Sequence, residues 1–353
     1  MRVGIITIPD FDNYGNRLQN YALQTALQKI GCEPISYVPF RPTYFKYFIK
    51  KLLRNESGSI SETLSEIHRM KSFLVFDRNF VKTEVVKESV FNKNLAEQCD
   101  YFVAGSDQIW NPNWGKYLYE NMFLRFANRN QRIAYAPSFG VNTIPVEWIE
   151  KYAIGLKEFS NLSVREDRGA LIVKELIQQD VPVVLDPTML LSEAEWIRVA
   201  KMPTSIKKDE KYILTYFLGE ISNDCKEYIE NLNTIHNFKI YSLLDKSDKK
   251  LFETGPSEFL ALIYNAELVL TDSFHASVFS IIFKKSFIVF PRKGMGEEMS
   301  SRLTTLLEKF SLTNRMYPRT MEEIFELHLD HVDEVLEVER KRSYQYLKAA
   351  LNK

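Results

Sequence analysis

Asp272, Ser273 and His275 crowd into one turn, between the β-prone run Val269–Thr271 and an apolar stretch ending at Phe283. Asp and Ser cap helices well, so the turn reads as a strand passing into a helix, with His275 in its first turn. A helix start gathers unpaired N–H groups and the positive end of the macrodipole, which suits a phosphate or carboxylate. An imidazole there could hold an anion or move a proton. The same residues would serve equally well as a cap and a half-buried histidine of a core helix. More positive charge falls near other expected strand ends: Arg165 in NLSVREDRG, Arg292 and Lys293 in the glycine-bearing loop PRKGMGEEMS, and Arg302 just after it. Arginine offers forked hydrogen bonds, so a ligand carrying a phosphate close to a carboxylate would suit this set. The loop itself has the composition of a lid.

A second group of polar residues follows other apolar runs. After VGIITI come Asn13, Tyr14, Gly15 and Asn16, read as a turn with its amides aimed past the strand end, and then RLQNYALQTALQKIG. In that segment Leu23, Ala26, Leu27 and Ile30 recur at helical spacing, and Gly31 ends the pattern. The strand Tyr101–Ala104 leads into Gly105, Ser106, Asp107 and Gln108. Asp107 could take a proton from a hydroxyl or simply close an Asx turn.

The elements needed to position these groups are buried strands alternating with helices. QRIAYAPSFG and NLSVREDRG repeat the strand-then-turn arrangement, VPVVLDPTML supplies a further expected strand, and KYILTYFLG and FKIYSLL restart the alternation. Pro256 opens another helix, as proline prefers. The expected fold class is α/β: two Rossmann-like domains, 1–185 and 186–329, facing a central cleft, with a charged helix over 330–353 that could cross back to the first domain. A length of 353 residues favours two cores over one. Strand ends along a parallel sheet build one crevice, where a ligand would bind.

Composition narrows the function. Hydrophobic residues at 45% exclude global disorder, and 46 basic residues against 46 acidic ones argue against a nucleic-acid-binding surface. Cys32, Cys99 and Cys225 are widely spaced, so neither a disulfide framework nor a metal site is expected, and a reducing cytoplasm fits. No signal peptide or membrane-spanning run is read, so the expected location is cytoplasmic. The segment RPTYFKYFIKKLLR, residues 41–54, is basic and aromatic; it could lie peripherally on the inner face of an anionic membrane or present an ordinary solvated face.

Six blocks carry a family resemblance: NYGNRLQNYALQ from Asn13, AGSDQIWNP from Ala104, SVRE from Ser163, LDPTMLL from Leu185, TDSFHASVFSIIF from Thr271 and SSRL from Ser300. Through them the chain resembles bacterial polysaccharide pyruvyl transferases. The resemblance implies a GT-B-like pair of domains. It also implies transfer of the pyruvyl unit of phosphoenolpyruvate onto two hydroxyls of a sugar, in a cell-surface polysaccharide or its lipid-linked precursor. The product is a cyclic ketal and free phosphate, and no cofactor is required. It implies a donor site including Arg165, Ser273, Phe274, His275, Lys293 and Arg302, with His275 meeting the phosphate. The expected acceptor side holds Asn13, Tyr14, Asn16, Gln19, Asp107 and Gln108, with Asp107 the candidate base. Many members read Ser-Arg-Leu-His where this chain has Asp272 to His275. Ser273 thus replaces an arginine, and either Arg292, Lys293 or Arg302 substitutes or the donor differs. Two other readings stand beside this one: a nucleotide-sugar glycosyltransferase of the same architecture, and a noncatalytic glycan-binding member of a capsule assembly complex.

Overall fold

The short apolar runs become parallel strands covered by helices. The computed structural model describes residues 1–353 apart from 9, 11, 39–59, 87–92, 114–118, 208, 237, 293–299, 320–322 and 326–328. The basic aromatic segment 41–54, Lys293 and most of the expected lid lie outside the described residues. The first sheet holds β1 (Arg2–Ile6), β2 (Glu33–Val38), β3 (Thr83–Val85), β4 (Tyr101–Gly105) and β5 (Arg132–Tyr135) in the order β3-β2-β1-β4-β5. The second holds β6 (Tyr212–Tyr216), β7 (Lys239–Ser242), β8 (Leu268–Thr271) and β9 (Ser286–Val289) in the order β7-β6-β8-β9. Every pairing is parallel. Two parallel sheets with crossover helices make an α/β protein of two domains, as the alternation predicts.

Three local expectations change. The run NLSVREDRG forms no strand, only isolated bridges at Asn161 and Val164. The segment Asn13–Asn16 is not a loose turn: Asn13 is the N-cap of the helix Tyr14–Lys29, and its side chain accepts from the Asn16 N–H at 3.1 Å. The run VPVVLDPTML does not form a strand. Val183 makes one isolated bridge to Val164, and Asp186 caps a short 3-10 turn, Pro187–Leu190. Pro182 and Pro187 bracket this run, and neither can donate to a ladder.

The helix Tyr14–Lys29 lies between the two sheets, which is why it buries polar Asn16, Arg17, Gln19, Asn20 and Gln24 as well as its apolar face. One hydrophobic cluster passes through it, from Val3, Leu18 and Val103 of the first side to Leu214, Phe259, Val269 and Phe279 of the second. At the seam the Tyr14 ring stacks on Phe259, with centroids 4.5 Å apart and planes 8° apart. The helix Val332–Ala350 crosses between the domains. Ser343 Oγ accepts from the Leu185 N–H at 3.0 Å, the Tyr346 hydroxyl donates to the Ala134 carbonyl at 2.8 Å, and Lys309 pairs with Glu339 at 2.7 Å. Among the described residues no helix is long and apolar enough to cross a membrane.

Candidate functional site

The loops that follow β1, β4, β5 and β8 meet at the start of the helix Tyr14–Lys29. Ser273 is the N-cap of the helix Phe274–Ile282, and its side chain faces the Ala276 N–H, so His275 sits in the first turn as the cap pattern predicts. Asp272 does not cap. Its carboxylate accepts from the Leu218 and Gly219 N–H groups at 2.7 and 2.8 Å, tying the β8 turn to the end of β6, and pairs with Arg292 Nε at 3.0 Å.

Arg165 lies at the centre of the cluster, its side chain only 1% exposed. Nη1 donates to Asp186 at 2.6 Å, Nη2 stands 3.6 Å from Asp107, and Nε stands 3.8 Å from Glu166. Its guanidinium lies over the Phe274 ring at 4.3 Å, a cation–π contact that sets the plane of the fork. Asp186 ties the group together. One oxygen accepts from the Thr188 N–H and hydroxyl at 3.0 and 2.6 Å; the other accepts from Ser106 at 3.2 Å and stands 3.6 Å from His275 Nε2. Arg302 approaches the same Phe274 ring, 5.9 Å from its centroid. With its amide oxygen turned inward, Gln108 accepts from both Arg302 Nη atoms at 3.2 and 3.3 Å.

Burial and charge compete throughout. Burial pushes the Asp186 carboxyl up, but His275, Arg165 and the Thr188 hydroxyl outweigh it and hold the group well below the carboxylate range. Asp107 follows the same balance, with Arg165 the largest opposing influence, then His275 and Arg302, and ends below its ordinary value. For Glu166 burial wins over Arg165 and Arg302, and the group is raised. Arg302 is pushed down to about 10, by burial first and by Arg165 second.

Several buried polar atoms have no hydrogen-bond partner among the described residues: Arg165 Nε and Nη2, Glu166 Oε2 and His275 Nε2. Buried polar atoms left in this state are costly and uncommon, and three of them belong to Arg165 and His275, which both approach Asp186. An anion between Arg165 and His275 would satisfy them. This arrangement can bind a compact, multiply charged anion and present an imidazole to it.

The residues expected on the acceptor side are also close, though most are committed to the protein. Tyr14 is fully buried, and its hydroxyl contacts Thr254 at 3.1 Å; Gln19 donates to Thr7 at 2.8 Å and accepts from the Ser106 N–H at 3.3 Å. Asn16 donates to Asp107 at 3.2 Å. Asn13 also lines a cavity in the cleft. Asp107 adopts a left-handed backbone, φ 55°, which a short polar side chain tolerates.

Sequence reasoning missed two parts. The pattern places Asp186 only at the end of an expected strand, although an Asp-Pro-Thr after an apolar run is itself a capping signal. Gly15 looked like turn chemistry, yet a β-carbon built on it would lie 1.9 Å from His275 Nδ1. Glycine is there so that the imidazole can lie against the helix backbone. Gly15→Ala is expected to displace the ring and cost ~1–3 kcal/mol through overpacking. A urea titration reads that loss, and an unchanged midpoint with an unchanged His275 ring resonance would contradict it.

Solved structures align with most of the chain. MnaA from S. aureus, solved with UDP, aligns with a TM-score of 0.50 at 10% identity, covering 99% of this chain and 96% of that one. The UDP-GlcNAc 2-epimerase of Methanocaldococcus jannaschii aligns at 0.40 and 13% identity over 96% of this chain and 99% of its own. Glycosyltransferase SsfS6 of Streptomyces sp. SF2575 aligns at 0.39 and 13% identity over 99% and 96%. At 10% identity the likeness to MnaA is one of fold, the GT-B type. No curated protein matches the chain in sequence. The family model for polysaccharide pyruvyl transferase matches residues 13–294, and the chain belongs to that family.

Proposed function

We propose that the protein transfers the pyruvyl unit of phosphoenolpyruvate onto two hydroxyls of one sugar of a cell-surface polysaccharide or its lipid-linked precursor, forming a cyclic ketal. The observation that carries this reading is the buried Arg165 guanidinium, which keeps Nε and Nη2 without hydrogen-bond partners beside His275. Phosphoenolpyruvate bears a carboxylate and a phosphate on one carbon, and so needs two adjacent anion holders. Arg165 is the natural fork for the carboxylate. His275, at the helix start, and Arg302 take the phosphate. Ser273 supplies the cap rather than a charge, and Arg302 stands in for the arginine missing at that position. Arg292 is a weaker substitute because its Nε is engaged by Asp272.

The chemistry follows from the donor. The first sugar hydroxyl adds to the enol carbon through oxygen, losing its proton to a base, while the methylene carbon gains a proton and becomes methyl. The second hydroxyl then replaces phosphate at the same carbon, and its proton leaves with the phosphate. Nothing is oxidised or reduced. His275 is suited to protonate the departing phosphate. The pairing of Asp107 with Arg165 and Asn16 favours a positioning role, since a carboxyl held below its ordinary value is a weak base at neutral pH.

Phosphoenolpyruvate is expected to raise the melting temperature, by about 2.7 kcal/mol of stabilisation at a hundredfold excess over its Kd. UDP- and TDP-sugars should leave it unchanged. Stabilisation by a nucleotide sugar alone would overturn the donor and favour a glycosyltransferase.

A further inference from the structure

The described part of the interdomain cleft contains a cavity of about 530 Å³ beside the donor cluster. Ligand pockets typically span about 300–1,000 Å³, so a single sugar ring fits with room for its neighbour. Tyr216 and Phe252 give it an aromatic wall from the second domain; Asp10, Asp12 and Arg69 face them from the first. Arg69 sets the floor. Its Nη1 donates to the Tyr14 hydroxyl at 2.7 Å and to the Phe252 carbonyl at 2.9 Å, and Nη2 donates to the Asp12 carbonyl at 3.0 Å. The loop carrying both aspartates is thereby held against the second domain.

Two residues of the cavity wall connect it to the donor cluster. Leu218 lines the cavity while its N–H holds Asp272, and Asn13 lines it while capping the helix whose Gly15 abuts His275.

We propose that this cavity is the acceptor subsite for a neutral hexopyranose, and that the Asp10 carboxylate is the base that deprotonates the attacking hydroxyl. The proposal rests on the pyruvyl-transfer reading above. The hydroxyl proton passes to Asp10 as the oxygen–carbon bond forms, and the enol methylene takes up a proton from a separate acid. Asp10 releases its proton to solvent once the ketal has closed and phosphate has gone. Arg69 fixes the loop bearing the base.

Asp10 has the acidity for this work, where Asp107 does not. Burial is the main influence and the Asp12 carboxyl the next; together they push Asp10 up to about 7 against the pull of Arg17. The other charged or titratable groups around the cavity are Glu66 and Arg69 of the helix Ile60–Phe80, and Lys246 and Tyr216 of the second domain. Lys246 is paired with Glu66 at 2.9 Å. A base of raised pKa is competent only above it, so turnover should fall as the pH drops below about 7.

The test uses the whole chain, phosphoenolpyruvate and the methyl glycosides of glucose, galactose and mannose, with phosphate release as the readout and thermal shift by phosphoenolpyruvate as a control for fold and donor site. Asp10→Asn is expected to keep the donor shift and glycoside KM within about threefold, to lower kcat by about 10²–10⁴-fold, and to abolish the acid limb. Asp12→Asn should move that limb to lower pH. Wild-type kcat in Asp10→Asn would overturn the proposal. So would a wild-type protein that binds phosphoenolpyruvate yet neither binds nor modifies any of the glycosides. If phosphoenolpyruvate itself does not bind, the donor reading fails instead, and the proposal with it.

Discussion

His275→Ala is expected to lower phosphate release from phosphoenolpyruvate by about 10²–10⁴-fold, the usual contribution of a positioned acid or base. Its fold should survive. Asp186 would still be held by Arg165, Ser106 and Thr188, so no buried carboxylate loses its last partner. A circular-dichroism melt within a few degrees of wild type, combined with lost turnover, is the predicted pair of results. Turnover near wild type would remove His275 from the mechanism. His275→Gln separates the two roles given to this residue: an amide can still donate a hydrogen bond to phosphate but cannot deliver a proton. Donor binding should therefore recover in that variant while kcat does not.

Arg165→Met should be more damaging, because it strikes stability and binding together. Asp186 and Asp107 would remain buried without the guanidinium they share, and breaking a buried pair in this way costs about 3–5 kcal/mol. Both carboxyls have folded values below the ordinary 3.8, so the stability they contribute is present above that value and fades as the pH falls through the folded values. The difference in urea midpoint between wild type and Arg165→Met should accordingly be largest near neutrality and narrow below pH 4. Phosphoenolpyruvate should no longer stabilise the variant. A variant with the wild-type midpoint that still responds to phosphoenolpyruvate would show that the guanidinium holds neither the fold nor the donor.

Much of the architecture is legible in local pattern. Runs such as VGIITI and YILTY are apolar on both faces, as strands under two layers of helices must be, and the capped turn before His275 announces a helix start. Arg165 is legible as a cation after an apolar residue, although Val164 before it makes an isolated bridge to Val183 and not a strand. Asp186 is harder to see, because its importance comes from four partners at Ser106, Arg165, Thr188 and His275 that only the packing of two domains assembles. Asp10 and Arg69 are hidden in the same way. Neither belongs to a motif, and their shared cavity needs Tyr216 and Phe252 from far along the chain. Lengthwise periodicity reports which face of an element is buried, but not which distant element covers it.

The stacking of Tyr14 on Phe259, within a core that passes unbroken from one sheet to the other, bears on how such a protein can diversify. Its halves are not interchangeable cassettes. A donor-side half grafted from a relative would have to bring a matching seam as well as matching site residues, or the helix carrying Gly15 would shift beneath His275. New acceptor preferences are therefore more accessible through exposed loop positions around the cleft than through recombination of whole domains.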